Sequence, residues 1–251
     1  MAQRDCIVAF LDRYLRVGAF RDASQNGLQV QGRTTVKHIV FGVSASLELF
    51  KRAAGLGADM VITHHGLFWD GPVRLTGGLR ARVAQLIKND LNFAAYHLPL
   101  DAHPVCGNNA RLLKLLGARA IKPFGSYHDT AIGFRGELKT PKSLASIEKI
   151  FEKAFGAECR TAAFGPAKIR TVGVVSGGAG GLAAEAVNSG LDLFITGEPS
   201  EPAWEWCREG GASFMALGHY NSEKAGVIAL AEALAGKFGV KTEFIDVPNP
   251  F

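Results

Sequence analysis

The chain has 251 residues, 47% of them hydrophobic and 20% charged, with a formal net charge of +5. That composition supplies a large apolar core and excludes a disordered or fibrous chain. Lys and Arg are scattered rather than massed in a block, so the positive balance suits a modestly basic globular protein and offers no nucleic-acid motif.

No stretch approaches the roughly 18 apolar residues of a membrane span. The start, Met1-Ala2-Gln3-Arg4-Asp5-Cys6-Ile7, lacks the apolar run of a signal peptide, and a cytoplasmic protein is expected. Cys6, Cys106, Cys159 and Cys207 are widely spaced, without Cys-x-x-Cys, and read as buried thiols rather than a zinc ribbon.

In chain order, residues 3–17 carry Ile7, Phe10, Leu11, Tyr14 and Leu15 at three- and four-residue spacing, the core-facing stripe of a helix. Ile39-Val40-Phe41-Gly42-Val43-Ser44 has the β-branched, apolar character of a buried strand. A helical stretch follows over residues 47–56. A second strand over residues 57–63 then delivers His64-His65. After another helical stretch, Phe93-Ala94-Ala95-Tyr96 delivers His97-Leu98-Pro99-Leu100-Asp101, and residues 108–116 form a helix.

The same order is then written again. Thr171-Val172-Gly173-Val174-Val175-Ser176 parallels the first strand, residues 182–189 the first helix, and Gly190-Leu191-Asp192-Leu193-Phe194-Ile195-Thr196 the second strand. Phe214-Met215-Ala216-Leu217 delivers His219-Tyr220-Asn221-Ser222-Glu223, and a helix follows over residues 222–238. A doubled β-α-β-α-β pattern is a duplication rather than a short-period repeat. It predicts an α/β fold of two halves packed as one unit, with mixed or parallel sheets flanked by helices. Residues 1–125 form the first half and residues 126–251 the second, meeting at the turn-rich stretch 123–129. Thr140-Pro141 is expected to cap a helix running to Phe155.

In open α/β sheets, ligands collect beyond the carboxyl ends of the strands. His64, His65, His97 and His219 all fall just after predicted strands. His97 precedes Asp101 by four residues and His219 precedes Glu223 by four. Imidazole with carboxylate is the donor set favoured by zinc, iron, manganese and nickel, so a two-metal site is expected. Its asymmetry follows from Thr63-His64-His65 in one half against Thr196-Gly197-Glu198 in the other. Adjacent strand residues point to opposite faces, a restriction that relaxes where the strand passes into Gly66. Asp101 has an alternative as a turn residue, Glu223 as an early helix acid, and His97 is either a ligand or a proton-transfer group. His38 and His128 are expected at the surface, and His103 outside the ligand set. Ser176-Gly177-Gly178-Ala179-Gly180-Gly181 lacks the Lys-Ser/Thr of a phosphate loop and reads as a tight glycine turn. Phe68, Trp69, Trp204 and Trp206 are expected in packing or subunit contacts.

Asn26-Gly27-Leu28-Gln29-Val30, Thr63-His64-His65-Gly66-Leu67-Phe68-Trp69, His97-Leu98-Pro99-Leu100-Asp101-Ala102-His103, Gly107-Asn108-Asn109, Thr196-Gly197-Glu198 and Gly218-His219-Tyr220-Asn221-Ser222-Glu223 resemble the GTP cyclohydrolase I type 2 family. These are also described as NGG-interacting-factor-three-like proteins with a dinuclear metal centre. The resemblance covers essentially the whole chain, in the short form without an inserted domain. It implies metal ligands at His64, His65, Asp101, His219 and Glu223, with Glu223 bridging and His97 beside the ions. It further implies a homohexameric ring and a metal-dependent hydrolase acting on a nucleotide or phosphorylated small molecule. A metal-handling or regulatory binding protein without turnover is the alternative.

Overall fold

The β-branched runs become parallel strands in the computed structural model, which describes residues 1–251. From the start of the chain the elements are β1 (Ala2–Gln3), α1 (Arg4–Tyr14), β2 (Gly27–Val30), β3 (Thr35–Val36), β4 (His38–Ser44), α2 (Leu47–Gly55), β5 (Met60–His65), α3 (Gly77–Lys88), β6 (Asn92–Ala95) and α4 (Leu98–Asp101). They continue as α5 (Asn108–Leu115), β7 (Ala118–Tyr127), β8 (Thr130–Lys142), α6 (Leu144–Phe155), β9 (Arg160–Ala162), β10 (Ile169–Val175), α7 (Ala183–Asn188), β11 (Leu193–Thr196), α8 (Glu201–Gly210) and β12 (Ser213–Ala216). The last three are α9 (His219–Ser222), α10 (Lys224–Phe238) and β13 (Lys241–Phe244). No helix is long and apolar enough to cross a membrane.

Two compact units result. One comprises Met1–Leu100 with Gly226–Pro248, the other Asp101–Ala225 with Asn249–Phe251. The duplication is counted along the chain and the units in space, because the end of the chain returns to the first sheet. That sheet has the order β13-β4-β5-β6-β2, with β13, β4, β5 and β6 parallel and β2 antiparallel at the edge. The sheet of the second unit has the order β7-β8-β10-β11-β12-β9, a parallel β10-β11-β12 triplet with antiparallel strands on both sides. The repeated pattern is therefore visible as two parallel triplets, β4-β5-β6 and β10-β11-β12.

Each unit has its own core. Val40, Leu49, Phe50, Val61 and Phe93 pack together in the first, and Leu112, Phe134, Ile147, Val174, Ile195 and Met215 in the second. Central strands covered on both faces carry near-continuous apolar runs for this reason. Local chemistry sets the helix ends: Ser46 Oγ accepts from Leu49 N at the start of α2, and Ser143 Oγ from Ser146 N at the start of α6.

Several expectations change. The first helix ends at Tyr14, where Arg16 turns left-handed at φ 56° and Val17–Ala19 forms a separate 3-10 turn. Thr140-Pro141 stays in β8, and Ser143 caps the following helix instead. His38 is buried, its ring 3.5 Å from Glu243 of β13, since a strand from the far end of the chain covers it. Cys6 is exposed, whereas Cys106 and Cys207 are buried. The stretch 123–129 belongs to a long antiparallel hairpin, whose turn places His128 and Asp129 at φ 48° and 61°. Two left-handed residues match the right-handed twist of the flanking strands.

A polar staple ties the start of β6 to the segments ahead of β3 and β5. Asn92, fully buried at the start of β6, accepts from Gly32 N and donates to the carbonyls of Arg33 and Asp59. Asn92→Ala leaves the half-buried Gly32 N and Arg33 O without this partner, while Asp59 O keeps the backbone N–H of residue 92, and each group left unsatisfied costs about 1–3 kcal/mol. A loss of ~3 kcal/mol is expected, read from the denaturant midpoint at unchanged slope.

Candidate metal centre

In the first unit, β5 ends at His64 and His65, and β6 leads directly to His97. The two adjacent imidazoles do not diverge: their centroids are 4.8 Å apart with planes at 54°. The His97 ring centroid lies 5.0 Å from that of His64 and 5.8 Å from that of His65. One ring nitrogen from each of the three lies within 4.8 Å of the others. His64 is fully buried, while His65 and His97 retain some exposure.

All three rings are held through Nδ1. His64 Nδ1 is 3.1 Å from the Tyr96 carbonyl oxygen. His65 Nδ1 is 3.2 Å from Ser44 Oγ, its register partner on β4. His97 Nδ1 is 2.9 Å from Asp22 Oδ1. Asp22 also accepts from Ser24 N, Asn26 Nδ2 and Leu98 N at 2.8–3.0 Å. Burial pushes the Asp22 carboxyl upward, but the hydrogen bond and charge of His97, with the donors from Asn26 and Ser24, outweigh it and leave the pKa below the ordinary value. Trp69 closes one side, edge-on to His97 at 5.1 Å, with its Nε1 donating to Gly66 O.

In the second unit, β12 delivers His219, and Glu223 follows the single turn of α9. His219 Nδ1 is 2.6 Å from Glu198 Oε1, and Nε2 is 3.2 Å from Glu223 Oε1. Glu223 is 2% exposed. Its hydrogen bond to the ring outweighs the effect of burial and, with Glu198, raises the His219 pKa to about 9. The glycine turn after β10 lies directly against this pair. Gly177 has φ +66°, and a Cβ there would stand 2.6 Å from Glu223 Oε1 and 3.3 Å from His219 Nε2. Gly177 N donates to Ser222 Oγ, and Thr196 Oγ1 donates to Gly177 O. The turn is glycine because backbone must approach two side chains closely.

Asp101, at the end of α4, is buried, and its Oδ1 accepts from Asn108 Nδ2 at 2.8 Å and Ser176 Oγ at 2.9 Å. His103 serves a local turn: its Nδ1 accepts from the backbone N–H of Val105 and Cys106.

The structure thus groups His64, His65 and His97 in one unit, and pairs His219 with Glu223 in the other. Asp101 is tethered to Ser176, the neighbour of Gly177. The residues that orient these groups, Asp22, Ser44, Glu198 and Ser176, were not given such roles by the sequence pattern. Asp22 has one weak signal, the polar stretch Asp22-Ala23-Ser24-Gln25-Asn26 ahead of a strand, typical of turns closed by their own side chains.

Four imidazoles engaged through Nδ1 present Nε2 as the coordinating nitrogen. Metal-binding histidines are characteristically oriented by an outer carboxylate, carbonyl or hydroxyl in this way. The three imidazoles of the first unit, and in the second unit His219 with the buried carboxylates of Asp101 and Glu223, are each donor types that suit a borderline divalent ion.

Comparison with known proteins agrees in extent and fold. Residues 2–250 match the family model DUF34/NIF3, NGG1p interacting factor 3. A Pyrococcus horikoshii protein named GTP cyclohydrolase 1 type 2 homolog is 45% identical over 98% of both chains. A Deinococcus radiodurans protein of the same name is 40% identical over 98% of this chain and 94% of its own. Among solved structures, protein ybgI, of unknown function, superposes with a TM-score of 0.93 at 37% identity over the full length of both chains. TTHA1606 from Thermus thermophilus does so with a TM-score of 0.92 at 35% identity, again over both full lengths. The chain belongs to the DUF34/NIF3 family.

Proposed function

We propose that this chain is a metal-dependent hydrolase in which His64, His65, Asp101, His219 and Glu223 hold two divalent ions and His97 transfers a proton. The observation that carries the reading is the Nδ1 anchoring of every imidazole, which fixes ring orientation before any ion arrives. Zinc, iron, manganese and nickel all suit the donors. Such ions, when bound, lower the pKa of water toward neutrality and polarise the bond under attack.

The side chains divide the work. Asp22 fixes His97 through Nδ1 and so directs Nε2 outward to accept or return a proton. Glu223 is the assigned bridging carboxylate, buried, with the missing side chain of Gly177 leaving room for its Oε1. Trp69 shields the His97 ring from bulk water on one side. The name of the Pyrococcus horikoshii and Deinococcus radiodurans relatives makes GTP the first substrate to test, within a wider class of nucleotides and phosphorylated small molecules. A homohexameric ring in the cytoplasm completes the assignment, supported by the family resemblance.

One observation favours a second reading, a metal-handling protein without turnover. The Glu223 and Glu198 carboxylates on either side of His219 favour its protonated ring, so protons compete with the ion for this nitrogen donor.

Glu223→Gln is expected to reduce bound metal, measured by elemental analysis of the purified protein, while His103→Ala retains it. Equal stoichiometry in Glu223→Gln and the unmodified protein removes the bridging assignment.

Asp22→Asn should lower turnover by about 10–100-fold, the usual cost of losing a group that orients a site imidazole. His97→Asn should lower it about 10²–10⁴-fold with metal largely retained. Hydrolysis rate and metal content are measured on the same preparations. No turnover of GTP or of a panel of phosphorylated compounds by the metal-replete protein transfers the assignment to the second reading.

A pH dependence also follows. The folded His219 pKa of about 9 lies above the ordinary 6.5, so its ion pairs stabilise the metal-free fold fully below about pH 6.5 and progressively less as pH rises through 9. Thermal denaturation of metal-free protein between about pH 6 and about pH 9.5 should show this decline, and Glu223→Gln should flatten it.

A further inference from the structure

A cavity of about 390 Å³ lies within the second unit between α8, β12 and β9, lined by Ala162, Pro199, Ser200, Glu201, Trp204 and Phe214. Its volume falls in the range of small-molecule sites. Trp204 is 53% exposed, an unusual position for so large an apolar ring. Phe164 holds it from the side, edge to face at 4.9 Å and 87°. Phe214, paired in register with Ala162 across β12 and β9, forms a buried wall. Two aromatic rings and a proline therefore border a space that nothing in the chain fills.

Ser200 supplies the polar feature. It occupies the N-cap position of α8, where a serine ordinarily accepts a hydrogen bond from the first helical turn, yet its side chain makes no cap bond. Its Oγ is buried and without a hydrogen-bond partner. A hydroxyl at a capping position that neither caps nor bonds elsewhere is a cost to the fold. Ser200 lines the cavity, and a χ1 rotamer change is the ordinary way for such a hydroxyl to meet a ligand.

We propose that this cavity is a binding site for a planar nitrogen heterocycle, set against Trp204 and Phe214 and hydrogen-bonded through a ring nitrogen to Ser200 Oγ. Aromatic rings favour offset-stacked or edge-to-face partners over saturated ones, which gives the walls their selectivity. The hydroxyl donates to a ring nitrogen or accepts from a ring N–H, so it distinguishes a heterocycle from a hydrocarbon of the same shape. All the lining residues belong to the second unit, and none is a proposed metal ligand. Binding is therefore expected in the metal-free protein, and its failure leaves the hydrolase reading standing.

Ligand-observed saturation-transfer NMR on the full-length, metal-free protein tests this, with adenine as the probe and cyclohexanol as the saturated control. Adenine should bind saturably and cyclohexanol should not. Trp204→Ala should weaken adenine by at least about fivefold, the lower end of what one base–aromatic stack contributes, and Trp204→Phe should recover most of the loss. Ser200→Ala should weaken it about two- to tenfold. Circular dichroism confirms that each variant is folded, and Trp204 is exposed enough for its replacement to leave the core intact. Equal binding of cyclohexanol, or unchanged affinity in Trp204→Ala, overturns the proposal. So does an absence of saturable binding in the unmodified protein. If light scattering then shows Trp204→Ala dissociating an oligomer, the cavity instead receives a second copy of the chain.

Discussion

The Asp22 carboxylate accepts hydrogen bonds from Ser24 N, Asn26 Nδ2, His97 Nδ1 and Leu98 N, and the place of His97 in the first histidine cluster depends on it. Asn26 in turn uses its side-chain carbonyl to receive His97 N. One buried anion thereby fixes the loop ahead of β2, the ring of His97, and the backbone entering α4. A buried carboxylate is tolerable only because every approach to it is a donor, one of them an imidazole able to carry positive charge.

The two halves of the duplication solve the same problem with different chemistry. Where β5 ends in Thr63-His64-His65, the imidazoles come from the strand itself, and neighbouring strands provide the outer hydrogen bonds from Ser44 and Tyr96. Where β11 ends in Thr196-Gly197-Glu198, the strand provides the outer partner, Glu198, and the imidazole arrives from β12. Thr63 and Thr196 occupy matching places, and each uses its hydroxyl to bond a nearby backbone carbonyl, that of His65 or Gly177. The repeated backbone thus keeps its role while ligand and orienting group exchange positions.

Much of this was legible in the sequence, for identifiable reasons. Parallel strands covered on both faces leave unbroken apolar runs, so β4, β5, β6, β10, β11 and β12 announce themselves, and the residues just after them mark the site. The hairpin β7–β8 did not, because strands beside the parallel triplet mix exposed Lys and Arg with apolar positions and carry a register shift between Arg119 and Lys122. His38 looked like a surface residue because its cover, β13, is about two hundred residues away in sequence. Asp22 and Glu198 escaped for a similar reason. A carboxylate that orients a ligand has no spacing of its own, since its partner is fixed by the fold rather than by the neighbouring chain.

The placement of β13 has a consequence for how the molecule is made. The first sheet takes its outermost strand from residues 241–244, so β4 keeps an open edge until those residues have left the ribosome. Val40 and Phe41, fully buried in the finished protein, border that edge. An unpaired apolar strand is a template for intermolecular pairing. During synthesis the amino-terminal portion is therefore the part most in need of protection from aggregation, and a chain cut short before residue 241 inherits that exposed edge permanently.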